Sequence, residues 1–201
     1  MKLDSNTLSG TLPPEWSDLI SIEELFLHEN QLIGTIPSDW GALSSVIELL
    51  IQTNVLTGSL PPEWSTLTKA ERISLQGNDL NGTLPGTWGA LDSLIEIELH
   101  YNSLEGSLPV EWSAFTNLEK LYLQFNSVNG ALPPEWAALT SVTDLRLQSN
   151  SLTGTLPADW SELGSIQRMW LQNNDLDTPL PASWSALGDT LAAGQLRLTG
   201  N

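Results

Sequence analysis

The sequence predicts an α/β solenoid, a stack of short units that each hold a strand and a short helical segment over one continuous core. Three columns of residues predict it. Asparagine recurs at positions 6, 30, 54, 78, 102, 126, 150 and 174. Proline recurs at 13, 37, 61, 85, 109, 133, 157 and 181, and tryptophan at 16, 40, 64, 88, 112, 136, 160 and 184. Each column steps by 24 without a break, which divides the chain into eight 24-residue repeats.

The elements follow in order along one repeat. In Leu25-Phe26-Leu27 the leucines alternate, so they share one face of a short strand and the residue between them points away. Asparagine comes next, a residue that satisfies backbone groups in tight turns, and here it is expected to bond the turns stacked beside it. Glycine follows four residues later, from Gly10 to Gly154, where the chain must bend. The segment LPPEW then starts a helix or 3₁₀ turn: proline suits its first position and glutamate the positive end of its dipole. Trp64 and Leu67, three residues apart, would share the inward side of that turn. Eight tryptophans are therefore expected in the core. The ninth, Trp170, lies between Met169 and Leu171 and is expected to point outward.

The pattern changes near the end. Thr178 stands where glycine is expected, Pro179 follows it, and after Leu187 the spacing gains three residues. Leu196-Arg197-Leu198-Thr199-Gly200-Asn201 then restates the strand motif, predicting a partial ninth strand near 196–201. The whole of 1–201 reads as a single domain with no obvious caps. Because both ends break off in mid-unit, the chain is expected to be a fragment of a longer protein, or to pack its ends on another copy.

The motif LxLxxNxLxGxLP resembles the 24-residue, plant-type leucine-rich repeats of receptor kinases and polygalacturonase inhibitors. The LPPEW variant is similar to the surface leucine-rich-repeat proteins of kinetoplastid protozoa, the promastigote surface antigen type. The resemblance covers residues 1 to about 187. It implies a right-handed, curved solenoid with a concave parallel β-sheet and short 3₁₀ or α segments on the convex side. It also implies ligand recognition at the cell surface or after secretion, although no signal peptide is visible and the cysteine-rich caps usual in such families are missing.

Charge then separates the surfaces. The chain carries a formal net charge of −17, a field that repels phosphate backbones and argues against nucleic acid as a ligand. The outward strand positions that would line the concave face hold six of the seven bases: Lys2, Arg72, Lys120, Arg146, Arg168 and Arg197. They also hold seven acids: Asp4, Glu24, Glu29, Glu48, Glu96, Glu98 and Asp144. The rest of the chain has seventeen acids and one base, Lys69. A nearly neutral inner face inside an acidic coat suits recognition, although mixed signs also simply make a tolerable sheet. Exposed Tyr, Trp and Arg dominate interface energetics, so the candidate binding residues are Tyr101, Lys120, Tyr122, Phe125, Arg146, Arg168 and Trp170. A smaller cluster comprises Phe26, His28 and Leu50. Glutamines at 52, 76, 124, 148 and 172 form a column read first as strand-to-strand amide bonds and second as a reader of glycan hydroxyls.

Chemistry is sparse. The chain has no cysteine, and no run approaches the ~20 apolar residues of a membrane span. Its two histidines would lie ~14 Å apart, too far to share a metal. Glu96, Glu98 and His100 alternate along one strand with glycosidase-like carboxylate spacing. However, an open sheet offers nothing to desolvate either acid, so no catalysis and no cofactor are expected. Asn81-Gly82-Thr83 matches a glycosylation sequon, as one site among thirteen asparagines does by chance. The leading reading is a non-catalytic module that binds a protein or a carbohydrate through the concave face. The alternatives are a scaffolding segment associating end to end through uncapped ends and, more remotely, ice binding by the Thr/Ser column of the GTLP segments.

Overall fold

The computed structural model describes residues 1–177, 179–191 and 195–201, apart from the side chain of Asp189. Thr178 and part of the three-residue gain after Leu187 lie outside the described residues.

Each repeat contributes a short strand to one parallel sheet. The strands are Glu24–Phe26, Glu48–Leu50, Arg72–Ser74, Glu96–Glu98, Lys120–Tyr122, Asp144–Arg146, Arg168–Trp170 and Leu196–Arg197. They lie side by side in chain order. The register advances by one repeat per strand, so Lys120 faces Glu96 on one side and Asp144 on the other. The alternation read in the sequence holds, with Leu25, Leu49, Ile73, Ile97, Leu121, Leu145 and Met169 buried behind this sheet.

The sequence reading described one strand per repeat followed by a bend at glycine. The structure has a second eight-stranded parallel sheet there, running from Ser9–Thr11 through strands such as Val55–Ser59 and Ser103–Ser107 to Asp175–Asp177. Glycine lies inside these strands rather than at a bend. Gly106, for example, has φ +76°, a region that side chains rarely adopt. A Cβ there would also stand 2.8 Å from Cγ2 of Thr83 in the preceding repeat. At Gly34, Gly58 and Gly106 the missing side chain lets neighbouring strands pair where a Cβ would collide with the threonine of the preceding repeat.

The LPPEW segments form five-residue 3₁₀ turns such as Pro62–Thr66 and Pro134–Ala138. Trp64 and Leu67 are both fully buried, as their spacing requires. The tryptophan rings stack from Trp16 to Trp40 and again from Trp64 through to Trp184. Trp88 and Trp112 are 6.5 Å apart at 8°, and Trp112 and Trp136 are 6.4 Å apart at 5°. Each ring after the first also donates its indole N–H to the proline carbonyl of the repeat before, for example Trp112 to Pro85 at 3.0 Å and Trp136 to Pro109 at 2.9 Å. The proline and tryptophan columns thus form one hydrogen-bonded ladder.

The asparagine column forms a second ladder. Asn126 accepts from the Leu104 N–H at 3.0 Å and donates to the carbonyls of Leu99 and Leu123 at 3.1 and 3.0 Å. The first of these carbonyls belongs to the preceding repeat, so the side chain ties two turns together. No helix among the described residues is long and apolar enough to cross a membrane.

Candidate ligand-binding face

The concave sheet presents its outward residues in columns. The first column runs Glu24, Glu48, Arg72, Glu96, Lys120, Asp144, Arg168, and ion pairs run along it. Arg72 reaches Glu48 at 3.0 Å and Glu96 at 3.4 Å, and Lys120 reaches Glu96 at 3.2 Å. Asp144 is a hub that takes Arg146 at 2.8 Å, Arg168, and the Tyr122 hydroxyl at 3.0 Å. Burial pushes its carboxyl pKa up, but the hydrogen bonds from Arg146, Tyr122 and Arg168 more than offset this and hold it below the ordinary value. The mixed charges therefore serve the sheet itself at Lys120 and Arg72.

The second column holds the aromatic part of the face. Arg146 lies over the Tyr122 ring at 4.4 Å and also against Trp170 at 4.8 Å. Trp170 meets Arg168 at 5.5 Å and Arg197 at 4.2 Å. It points outward, as its place between Met169 and Leu171 requires. Near the other end, Lys2 sits 4.6 Å over Phe26, whose ring tilts against His28 at 6.2 Å.

Tyr101 and Phe125 were expected on outward strand positions. They stand instead in the turn just past the strand, at φ +53° and +57°, where other repeats place Ser5, Glu29, Thr53, Gly77, Ser149 and Asn173. The residue before the ladder asparagine must adopt this left-handed conformation, which lifts its side chain off the sheet. The rings are 55% and 42% exposed and stack on each other at 4.5 Å and 5°. His100 joins them to the rest, edge-on to Tyr101 at 5.5 Å and to Tyr122 at 6.1 Å. Six of the seven candidate residues are thus linked by a chain of contacts through His100, while Lys120 pairs with Glu96 instead. Sequence reasoning left His100, Asp144 and Arg197 out of it, although the 24-residue step places Asp144 between Lys120 and Arg168.

Two other expectations are corrected. The glutamine column does not close into amide bonds: Oε1 of Gln52, Gln76, Gln124, Gln148 and Gln172 is buried without a partner. Equivalent side chains on strands ~4.8 Å apart stand beyond hydrogen-bond reach unless they tilt toward one another. The open sheet also does desolvate an acid. Glu98, flanked in register by Ser74 and Tyr122, has its pKa raised to about 7 by burial and by the neighbouring Glu96. Burial lowers His100 to about 4, and the two side chains stand 3.8 Å apart, too far for a hydrogen bond.

This fixes a sign. Between pH 4.5 and about 7 the folded chain keeps a proton on Glu98 that the unfolded chain has released, so its contribution falls as pH rises through that window. His100 acts oppositely: its contribution is lost as pH falls from 6.5 to about 4. Glu98→Gln is expected to raise the melting temperature at pH 8 and to leave it nearly unchanged at pH 4.5. Thermal melts at the two values check this, and equal shifts would show that Glu98 ionises freely.

Comparison with known proteins agrees with this geometry. The Leucine Rich Repeat family matches at residues 21–43 and 117–139. No curated protein matches the sequence. Among solved structures, the chain is 34% identical to the leucine-rich-repeat ectodomain of the Arabidopsis thaliana membrane receptor kinase GASSHO1/SCHENGEN3, solved in complex with CASPARIAN STRIP INTEGRITY FACTOR 2. The match covers 92% of this chain and 22% of that one, with a TM-score of 0.90. It is 30% identical to the Arabidopsis receptor kinase HAESA, solved with the peptide hormone IDA and a co-receptor, over 98% of this chain and 33% of that one, at a TM-score of 0.92. A leucine-rich-repeat protein of Leptospira interrogans is 30% identical over 94% of this chain and 52% of its own, at 0.74. The chain thus spans between about a fifth and about half of these three structures. With its repeated motif and its parallel strands stacked in chain order, the chain is a leucine-rich-repeat solenoid.

Proposed function

We propose that this chain is a non-catalytic recognition module, part of a cell-surface or secreted protein, that binds a polypeptide along its concave face at Tyr101, Lys120, Tyr122, Phe125, Arg146, Arg168 and Trp170. One observation carries the reading: the stacked, exposed Tyr101–Phe125 pair continues through His100 and Tyr122 into the Arg146–Trp170 cluster. Aromatic rings and arginines gathered on one surface are the usual anchors of an interface. That the similar receptor kinase HAESA was solved with a peptide hormone supports a polypeptide over a glycan as occupant. The likeness to kinetoplastid surface proteins rests on the LPPEW spelling at 12–16, 60–64 and 132–136.

Panning a random peptide display library on the immobilised protein is expected to yield binders. The double variant Tyr101→Ser, Phe125→Ser should keep the parent's circular dichroism and melting temperature, because both rings lie outside the core, and should weaken those binders roughly tenfold or more. Binders indifferent to the double variant would move the site elsewhere, and capture of glycans but not peptides would change the ligand class.

A further inference from the structure

The C-terminal end of the concave face is rich in hydrogen-bond donors and poor in acceptors. Arg146, Arg168 and Arg197 come from three adjacent strands and meet around one indole, at 4.8, 5.5 and 4.2 Å from the Trp170 ring. Each guanidinium offers five N–H groups and accepts none. Among the described residues, their side-chain acceptors are the Asp144 carboxylate, shared by Arg146 and Arg168, and the Gln195 carbonyl, which takes Arg168 at 3.0 Å. Arg197 has no side-chain acceptor among the described residues. The Trp170 Nε1–H is a further donor, closed off from solvent and likewise without a partner among them. A buried donor left without an acceptor is destabilising.

Charge follows the same division. Lys120 is matched by Glu96, so the three arginines, against Asp144 and the partly protonated Glu98 that acts on Arg146, leave a local excess of positive charge on a chain whose net charge is −17. A structural cation–π cluster would be complete with one arginine on the indole. Three, with spare donors and an orphan N–H, make a surface whose complement is an acceptor-rich anion.

We infer that Arg146, Arg168, Arg197 and Trp170 form a subsite for carboxylate side chains on an acidic segment of a polypeptide ligand. This deepens the recognition reading above and rests on it. It also adds Arg197, which the sequence places among the bases of the concave face but not among the seven candidate residues. At physiological salt the acidic flanks are screened beyond ~8 Å, so the inner face, with its bases and acids nearly balanced, can admit such a segment.

A labelled oligoglutamate peptide, titrated by fluorescence anisotropy at physiological ionic strength, tests this. Arg197 makes no side-chain ion pair among the described residues, so Arg197→Gln should leave the fold intact, and it should weaken binding roughly tenfold. Lys69→Gln removes the same charge from an exposed position outside the concave face and should leave binding unchanged. Equal losses in the two variants would reduce the effect to net charge and overturn the subsite, as would failure of oligoglutamate to bind. Library peptides that depend on Tyr101 and Phe125 but not on Arg197 would also remove the subsite while keeping the recognition reading.

Discussion

Trp112→Ala is expected to cost about 3–5 kcal/mol, the range for deleting a large aromatic from a core that cannot collapse around the gap. Three features of this site put it at the upper end. The ring is fully buried. It stacks on Trp88 on one side and Trp136 on the other, so both interfaces of its repeat lose contact. Loss of its indole N–H also leaves the Pro85 carbonyl with the Trp88 N–H alone, at 3.1 Å. In a solenoid, stability is a sum of repeat and nearest-neighbour terms, so weakening a central repeat also uncouples the two halves. Urea unfolding should show a lower midpoint together with a smaller slope or a second transition. Trp16→Ala is the internal control. That ring is partly exposed, has a stacked neighbour in Trp40, and opens the column, so no earlier proline carbonyl receives its N–H. It should cost less than half as much. Equal losses at the two positions would show that the ladder contributes nothing beyond local burial.

The contrast between these two tryptophans also marks how far the sequence could be read. A column that repeats every 24 residues reports a position, and the position explains burial: the core leucines, the tryptophan side of each 3₁₀ turn and the register of the concave strands were all legible. The indole-to-proline bonds were not, because they need the two columns to approach across a repeat boundary. The second sheet was missed for a related reason. Its strands carry a glycine with positive φ, which in a sequence signals a bend. Only the packing of Thr83 against Gly106 shows that glycine there permits strand pairing. On the concave face, composition pointed to the aromatic and basic residues. It could not show that Asp144 gathers Tyr122, Arg146 and Arg168, or that Tyr101 and Phe125 stack off the sheet. Those follow from the left-handed turn before each ladder asparagine and from side-chain reach, neither of which has a period of its own. The raised pKa of Glu98 was missed because an open sheet was taken to be a wet one.

The asparagine ladder makes the other large prediction. Asn126→Ala removes one acceptor and two donors at once: the Leu104 N–H loses its partner, and the Leu99 and Leu123 carbonyls keep only the bonds from Asn102 and Asn150. An unmade buried hydrogen bond costs about 1–3 kcal/mol. With one N–H stranded and two carbonyls each reduced from two bonds to one, a total of about 2–3 kcal/mol is expected. Asn6→Ala should cost under about 1 kcal/mol, because the Asn6 side chain is exposed and bonds only the nearby carbonyls of Leu3 and Asp4. Burial alone would also predict a difference between these sites, so a third variant separates the causes. Asn126→Asp keeps the size and the acceptor but replaces the donating amide with a carboxylate facing two carbonyls. Its ionised form should be at least as unstable as the alanine variant. Because the folded state would then raise the new carboxyl's pKa, the variant should regain stability as pH falls and the group becomes able to donate one hydrogen bond. The measurement is the difference in unfolding midpoint between the aspartate and alanine variants at pH 7 and pH 5, which cancels the background titration of the other acids. A gap that narrows or reverses in favour of aspartate at the lower pH means the side-chain N–H groups hold the repeats together. A gap that does not move with pH means the column fills space and its hydrogen bonds are incidental.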